Sequence, residues 1–162
     1  MRETHIILDS CIVEYYLNKE LSSQVDTILC AWKNGFDLAI SQIIYSELID
    51  GAYTKKEKVI IKTLKSFYNF PVTERHIIGS GKLGSVYRDF GISQNISITD
   101  KIIAATSIIT NSLIVTANIN DYPQPFFESL KSSYIKKGKQ TIKICALKPD
   151  YRSLRDAFDN RG

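Results

Sequence analysis

The chain has few cysteines and no spacing that would pair them. Its three cysteines, Cys11, Cys30 and Cys145, are odd in number, far apart and free of any CxxC pattern. A disulfide framework and a zinc site are therefore both disfavoured. Such cysteine usage suits a reducing compartment. Because the first residues also lack a signal-peptide pattern, we expect a cytoplasmic protein.

Histidines and long apolar runs are also scarce. His5 and His76 are the two histidines of the chain. A two-histidine acid–base mechanism would require these distant residues to meet, so we interpret both as structural. No uninterrupted apolar stretch approaches the roughly 20 residues of a membrane span. We therefore expect no membrane association.

The 162 residues, 44% of them hydrophobic, suffice for one well-packed domain. Short apolar segments alternate with amphipathic ones, which predicts an α/β fold with three αβα layers and a central, mostly parallel sheet. We expect the domain to span residues 1–149, with a helical or frayed tail at 150–162. The predicted strands are His5–Leu8, 38–40, 70–73, 113–117 and 141–147, and the predicted helices are 12–18, 21–33, 42–51 with Ser41 as its N-cap, 55–67, 74–90 and 100–110.

Four acidic residues fall where an α/β sheet gathers its ligands. In a parallel sheet, strand carboxyl ends and the N-termini of the following helices share one edge. The acids that follow such strands or lie on such helices are Asp9, Glu47, Asp100 and Asp121, and Thr116 and Asn118 add polar groups beside them. We therefore expect four carboxylates, far apart in sequence, to converge at one edge.

Converging carboxylates would repel one another unless cations neutralise them. Oxygen ligands favour Mg²⁺ or Mn²⁺, and such ions can activate water for cleavage of a phosphodiester. Each acid also has a simpler interpretation. Asp9 could cap a helix, Asp100 could serve a helix dipole, Glu47 could be a surface residue and Asp121 could form a turn. Independent caps and turns have no reason to cluster, so their shared edge favours a metal-dependent site.

Three segments carry a family resemblance. They read LDSCIVEYYL at 8–17, SQIIYSELIDG at 41–51 and ITDKIIAATSIITNSLIVTANINDY at 98–122. In this order they resemble the PIN-domain nucleases, especially the VapC-type toxins of bacterial toxin–antitoxin pairs. The third segment is the most specific, because an Asp opens an apolar helix and an apolar strand then ends in Thr before Asn and Asp.

The resemblance implies a site and a function. Its acidic, metal-binding and catalytic positions correspond to Asp9, Glu47, Asp100 and Asp121, and its supporting positions to Ser10, Thr116 and Asn118. It further implies Mg²⁺ or Mn²⁺ dependence, cleavage of structured RNA such as tRNA or rRNA, a homodimer, and inhibition by a cognate antitoxin.

The chain departs from the family pattern at three places. Cys11 replaces a small polar residue, and Ala117 stands where a basic residue is common. After Asp121 the chain carries a long lysine-rich insertion to about residue 140, which we expect to contact RNA or a protein partner. A net charge of +4 is compatible with a polyanionic partner but decides little alone.

Other functions remain open at this point. An RNA-processing nuclease without an antitoxin and a catalytically inactive RNA- or protein-binding module fit the same pattern. An aspartate-nucleophile phosphohydrolase is disfavoured because its second Asp would fall at Cys11. The GxGxxG match at 79–84 has no preceding strand, so we interpret its glycines as close-packing positions rather than a dinucleotide site.

Overall fold

The protein is described here by a computed structural model covering residues 5–50, 52, 54–92 and 95–160. The predicted end of the helix 42–51, at Gly51, lies outside the described residues. The strands are β1 (His5–Leu8), β2 (Asp37–Ser41), β3 (Tyr68–Phe70), β4 (Leu113–Thr116), β5 (Phe127–Lys137) and β6 (Gln140–Pro149). The helices are α1 (Ser10–Leu17), α2 (Ser22–Lys33), α3 (Ile44–Ile49), α4 (Thr54–Leu64), α5 (Glu74–Asp89), α6 (Ile98–Thr110) and α7 (Tyr151–Asp159).

The strands form a single six-stranded sheet in the order β3-β2-β1-β4-β6-β5. The first four are mutually parallel, whereas β6 is antiparallel to β4 and β5 is antiparallel to β6. Helices flank this mixed sheet, which confirms the predicted αβα architecture. The chain order reverses between β1 and β4, and in such sheets this switch point is where ligands bind.

The central strands are apolar because they are covered on both faces. Ile6, Ile7 and Leu8 of β1 are at most 1% exposed, and all four residues of β4 are buried. Helix α6 contributes a nearly continuous buried run from Ile102 to Ser107. No helix in the described part of the chain is long and apolar enough to cross a membrane.

Helix α5 approaches α6 closely at one glycine, Gly79. A Cβ added at Gly79 would lie 3.3 Å from the Cβ of Ala105, and one at Gly84 would lie 3.5 Å from the side chain of Lys101. Nothing lies within 4 Å of such an atom at Gly81. The close-packing interpretation is thus confirmed for Gly79. It is wrong for Gly81, and at Gly84 a Cβ would make only ordinary van der Waals contact with a flexible lysine side chain.

One prediction about local structure is wrong. Ser41 does not cap a helix: it is the last residue of β2 and pairs with Phe70 of β3, and α3 begins only after Ile43. The insertion after Asp121 holds a strand that the sequence did not predict, since its larger part forms β5 and the start of β6. Near the tip of β5, Ile135 is buried while most of its neighbours are exposed, so the sequence there shows only a weak strand pattern.

The C-terminal segment is an ordered helix rather than a frayed tail. Asp150 caps α7 by accepting hydrogen bonds from the backbone N–H groups of Arg152 and Ser153. Leu154 and Ala157 of α7 are buried. Of the two predicted forms of this tail, helical or frayed, the structure shows the helical one through Asp159, and residue 160 is the last that it describes.

Candidate active site

Asp9 lies directly after β1, at the carboxyl edge of the sheet. Its backbone N–H donates to the carbonyl of Val115 at 3.0 Å, so the pairing of β1 with β4 continues to this residue. Its Oδ1 accepts a 2.7 Å hydrogen bond from the backbone N–H of Ser10 and caps α1. The simple capping role is therefore real, but it uses only one of the two carboxylate oxygens.

The second oxygen of Asp9 connects the site to β4. Oδ2 accepts a 2.6 Å hydrogen bond from the hydroxyl of Thr116, the last residue of β4. The same hydroxyl oxygen accepts the backbone N–H of Asn118 at 2.9 Å. Thr116 thus orients a buried carboxylate and the turn after β4, while Asn118 contributes its backbone and leaves its side chain exposed.

Cys11 belongs to the same cluster, although we had predicted only a departure from the family pattern. Its Sγ lies 3.6 Å from Oδ2 of Asp9 and accepts the backbone N–H of Ala117 at 3.5 Å. Burial and the Asp9 charge raise the pKa of this thiol to about 12. Cys11 is therefore a neutral group that packs between the ends of β1 and β4.

Asp100 reaches the edge from the first turn of α6. Ser97 is the N-cap of this helix: its hydroxyl accepts the backbone N–H of Asp100 at 3.0 Å and donates to Oδ2 of the same residue. A carboxylate in the first helical turn is also stabilised by the helix dipole. Ser97 thus holds Asp100, as Thr116 holds Asp9.

The charges of three acids interact at this edge. Burial, followed by the charge of Asp100, raises the pKa of Asp9 from 3.8 to about 6 against the opposing hydrogen bond of Thr116. Burial and the Asp100 charge also raise the pKa of Asp121, which ends the short 3-10 helix Ile119–Asp121. Because one carboxylate acts on both others, the structure brings Asp9, Asp100 and Asp121 together as predicted.

Tyr122 faces the three acids from the interior. It is 2% exposed, and its hydroxyl has no hydrogen-bond partner among the described residues. Burial, then the charges of Asp9 and Asp100, raises its pKa well above the ordinary value. Tyr122 is therefore a buried, neutral hydroxyl beside the carboxylates.

Glu47 stands apart from the other three acids. It lies on α3, where one carboxylate oxygen is buried without a hydrogen-bond partner among the described residues. It borders a depression shared with Glu14, Asn18 and Lys56. Within the described residues, the acid whose charge raises the pKa values of Asp9 and Asp121 is Asp100, not Glu47. The structure therefore brings three predicted acids together and does not include Glu47 in that group.

The donor atoms at this edge are of the kind that hard divalent cations prefer. Carboxylate and hydroxyl oxygens predominate, and buried oxygens of Glu47 and Tyr122 lack partners in the described structure. No group of three His, Cys, Asp or Glu side chains in residues 5–50, 52, 54–92 and 95–160 is arranged to hold a metal ion. The chemistry of the residues fits a cation.

The doubly wound sheet, with interacting carboxylates at its switch point, defines an α/β protein with an acidic group at the edge where such folds bind ligands. No family model matches the chain. The chain is, however, 31% identical over 134 residues to ribonuclease VapC10 of Mycobacterium tuberculosis, in two strains, which covers 82% of this chain and 96% of the relative. The chain therefore belongs to the VapC family of PIN-domain toxins.

Solved structures share the fold at lower sequence identity. The VapBC2 complex of Rickettsia felis, bound to a DNA fragment from its promoter, has a TM-score of 0.63 at 22% identity, covering 75% of this chain and 94% of that chain. A toxin–antitoxin complex from Klebsiella pneumoniae has a TM-score of 0.58 at 21% identity, covering 74% and 92%. VapBC-1 of nontypeable Haemophilus influenzae gives 0.55 at 22%, covering 74% and 90%.

Proposed function

We propose that this protein is a metal-dependent endoribonuclease, the toxin of a toxin–antitoxin pair, which hydrolyses RNA phosphodiester bonds. The observation that carries the proposal is the coupled acid group of Asp9, Asp100 and Asp121 at the switch point of the sheet. Buried carboxylates that destabilise one another are a poor structural element and a good cation site. The relative of this chain is a ribonuclease, which supports RNA as the substrate.

Asp9, Asp100 and Asp121 would hold Mg²⁺ or Mn²⁺, with Glu47 as a fourth ligand. When bound, one or two such ions supply an activated water and neutralise charge on the cleaved phosphate. The chain's own residues position the ligands. Thr116 fixes one oxygen of Asp9 and Ser97 fixes one oxygen of Asp100, which leaves the remaining lone pairs for the cation.

The partners form a further part of the proposal. Similar structures are toxin–antitoxin complexes, which supports a cognate antitoxin for this chain. We also propose a cytoplasmic location, which its unpaired cysteines support. A homodimer is proposed from the family resemblance. Toxicity on expression, relieved by the product of an adjacent gene, distinguishes a toxin from a free-standing RNA-processing nuclease.

The test is cleavage of total RNA and tRNA by purified protein with Mg²⁺, Mn²⁺ or EDTA. Asp100→Asn and Asp121→Asn should each lower the cleavage rate by about two orders of magnitude, because each removes a ligand charge while keeping the side-chain shape. Asp26→Asn, at an exposed position on α2, is the matched control and should cut like the wild type. Cleavage that persists in EDTA, or in both site variants, would overturn the proposal.

A further inference from the structure

The β5–β6 hairpin carries the positive charge of the protein. Residues 127–149 contain six lysines and one glutamate, a formal charge of +5, whereas the whole chain carries +4. The rest of the chain therefore has a formal charge of −1. A polyanion approaching this protein is attracted to the hairpin rather than to the protein as a whole.

The two faces of the hairpin differ in character. Ile135 pairs with Ile142 on one face, and Ile135 is fully buried. Tyr134 pairs with Lys143 on the opposite face, where Tyr134 is 61% exposed. Directly opposed residues on one face of an antiparallel pair have Cβ atoms about 5 Å apart. That face thus presents a flat aromatic ring and an ammonium group side by side.

The exposed face continues into a cleft beside the acidic site. A cavity of about 450 Å³ lies between the hairpin and the loop that follows β4, lined among others by Asn120, Pro123, Gln124, Ser129 and Lys143. Tyr122 forms part of the same wall. Because the hydroxyl of Tyr122 lies beside the acids and Asn120 precedes Asp121 in the chain, the cleft adjoins the proposed site of cleavage.

The tip of the hairpin is held in place by α2 and by the residues just before it. The side-chain amide of Gln24 donates to the carbonyl of Lys136 and accepts its N–H, both at 2.9 Å. Glu20 accepts the backbone N–H of Gly138, also at 2.9 Å. These bonds fix the backbone at the outer edge of β5, so the face bearing Tyr134 and Lys143 needs little ordering before it binds a ligand.

We propose that the Tyr134–Lys143 face and the adjoining cleft bind single-stranded RNA next to the scissile phosphate. Tyr134 stacks on an unpaired base, and Lys143 contacts a backbone phosphate beside it. This inference rests on the proposed nuclease function and names where its substrate lies. An exposed ring beside a lysine fits a nucleotide better than an acidic peptide, because a peptide carboxylate offers the ring no flat partner.

Binding in EDTA tests the inference without cleavage. The probe is a labelled single-stranded oligoribonucleotide of about twelve nucleotides, with the matching duplex as a second ligand. Tyr134→Ala and Lys143→Gln should each weaken single-strand binding about tenfold. Lys143→Gln should also reduce the slope of log K against log salt by about 0.7, the loss of one phosphate contact. The duplex should bind more weakly and be insensitive to Tyr134→Ala.

Lys131→Gln is the matched control, because Lys131 is exposed on the same strand but three residues from Tyr134 and therefore on the other face. It should change affinity less than about twofold. Equal losses in Lys131→Gln and Lys143→Gln, or wild-type binding by both face variants, would overturn the inference. Because no cleavage is read, this failure is distinct from a failure of the nuclease proposal.

Discussion

Thr116 donates a 2.6 Å hydrogen bond to Asp9 across 107 positions of the sequence and so joins the ends of β4 and β1. Both residues are almost completely buried, at 0% and 2% exposure. A carboxylate buried this deeply is costly when ionised, and the single hydroxyl offsets only part of that cost. The charge of Asp9 therefore opposes folding of the metal-free protein.

Asp9→Asn should stabilise the metal-free protein at neutral pH. A pKa of about 6 in the folded chain against 3.8 corresponds to about 3 kcal/mol. Because the pKa of Asp9 is raised on folding, the contribution of this residue to stability is fully present below pH 3.8, where its carboxyl is protonated in both states. That contribution is lost as pH rises through about 6. Urea unfolding in EDTA should show the variant to be 1–3 kcal/mol more stable at about pH 7.5 and nearly equal to wild type at acid pH. A less stable variant at neutral pH would contradict this electrostatic account.

Thr116→Val should shift the pH dependence of cleavage. The Thr116 hydroxyl lowers the pKa of Asp9, so its removal raises that pKa further and delays ionisation. The rising limb of kcat/KM should move to higher pH, with about a tenfold loss near neutrality. Thr116→Ser keeps the hydroxyl and should restore the wild-type profile. An equal shift in both variants would assign the effect to packing instead.

Much of this site follows from the sequence, because the relevant elements have strong local patterns. The apolar runs of β1 and β4 and the cap at the start of α6 place Asp9, Asp100 and Asp121 at one edge before any contact is known. Ser41 was predicted wrongly because a serine before a helical pattern resembles an N-cap. Its actual partner, Phe70, is distant in sequence and belongs to a parallel strand.

The remaining features depend on long-range contacts that local patterns do not encode. Cys11 joins the site only because β1 and β4 are neighbours, which brings its sulfur 3.8 Å from the Thr116 hydroxyl oxygen. Strand β5 was missed because it lies at the edge of the sheet and is exposed along most of its length. Strand β5 pairs with β6 on one side and lacks the continuous apolar pattern that identifies central strands.

Cys11 should resist alkylation in the folded protein. Its thiol is half-buried and its pKa is raised to about 12, so almost none of it is thiolate near neutrality. Cys30 is exposed and Cys145 is buried. Mass spectrometry after iodoacetamide treatment near pH 8 should find Cys30 modified at least about tenfold faster than the other two. Rapid modification of Cys11 would show that the junction of β1 and β4 opens readily.

Glu47→Gln should weaken the response to metal without unfolding the protein. One oxygen of Glu47 is buried and has no partner among the described residues, so it is available as an additional ligand. The variant should need about tenfold more Mn²⁺ for half-maximal cleavage and should recover at high Mn²⁺. Glu74→Gln, at an exposed position on α5, is the control. An unchanged Mn²⁺ dependence in Glu47→Gln would remove Glu47 from the site.

The most direct test of the acidic site is to measure Mn²⁺ binding by electron paramagnetic resonance near pH 7, for the wild type, Asp100→Asn and Asp26→Asn. Asp100 interacts with both other acids, so its neutralisation should weaken Mn²⁺ binding at least about tenfold. Asp26→Asn should bind like the wild type. Equal Mn²⁺ affinity in all three proteins would contradict the claim that these carboxylates form a metal site.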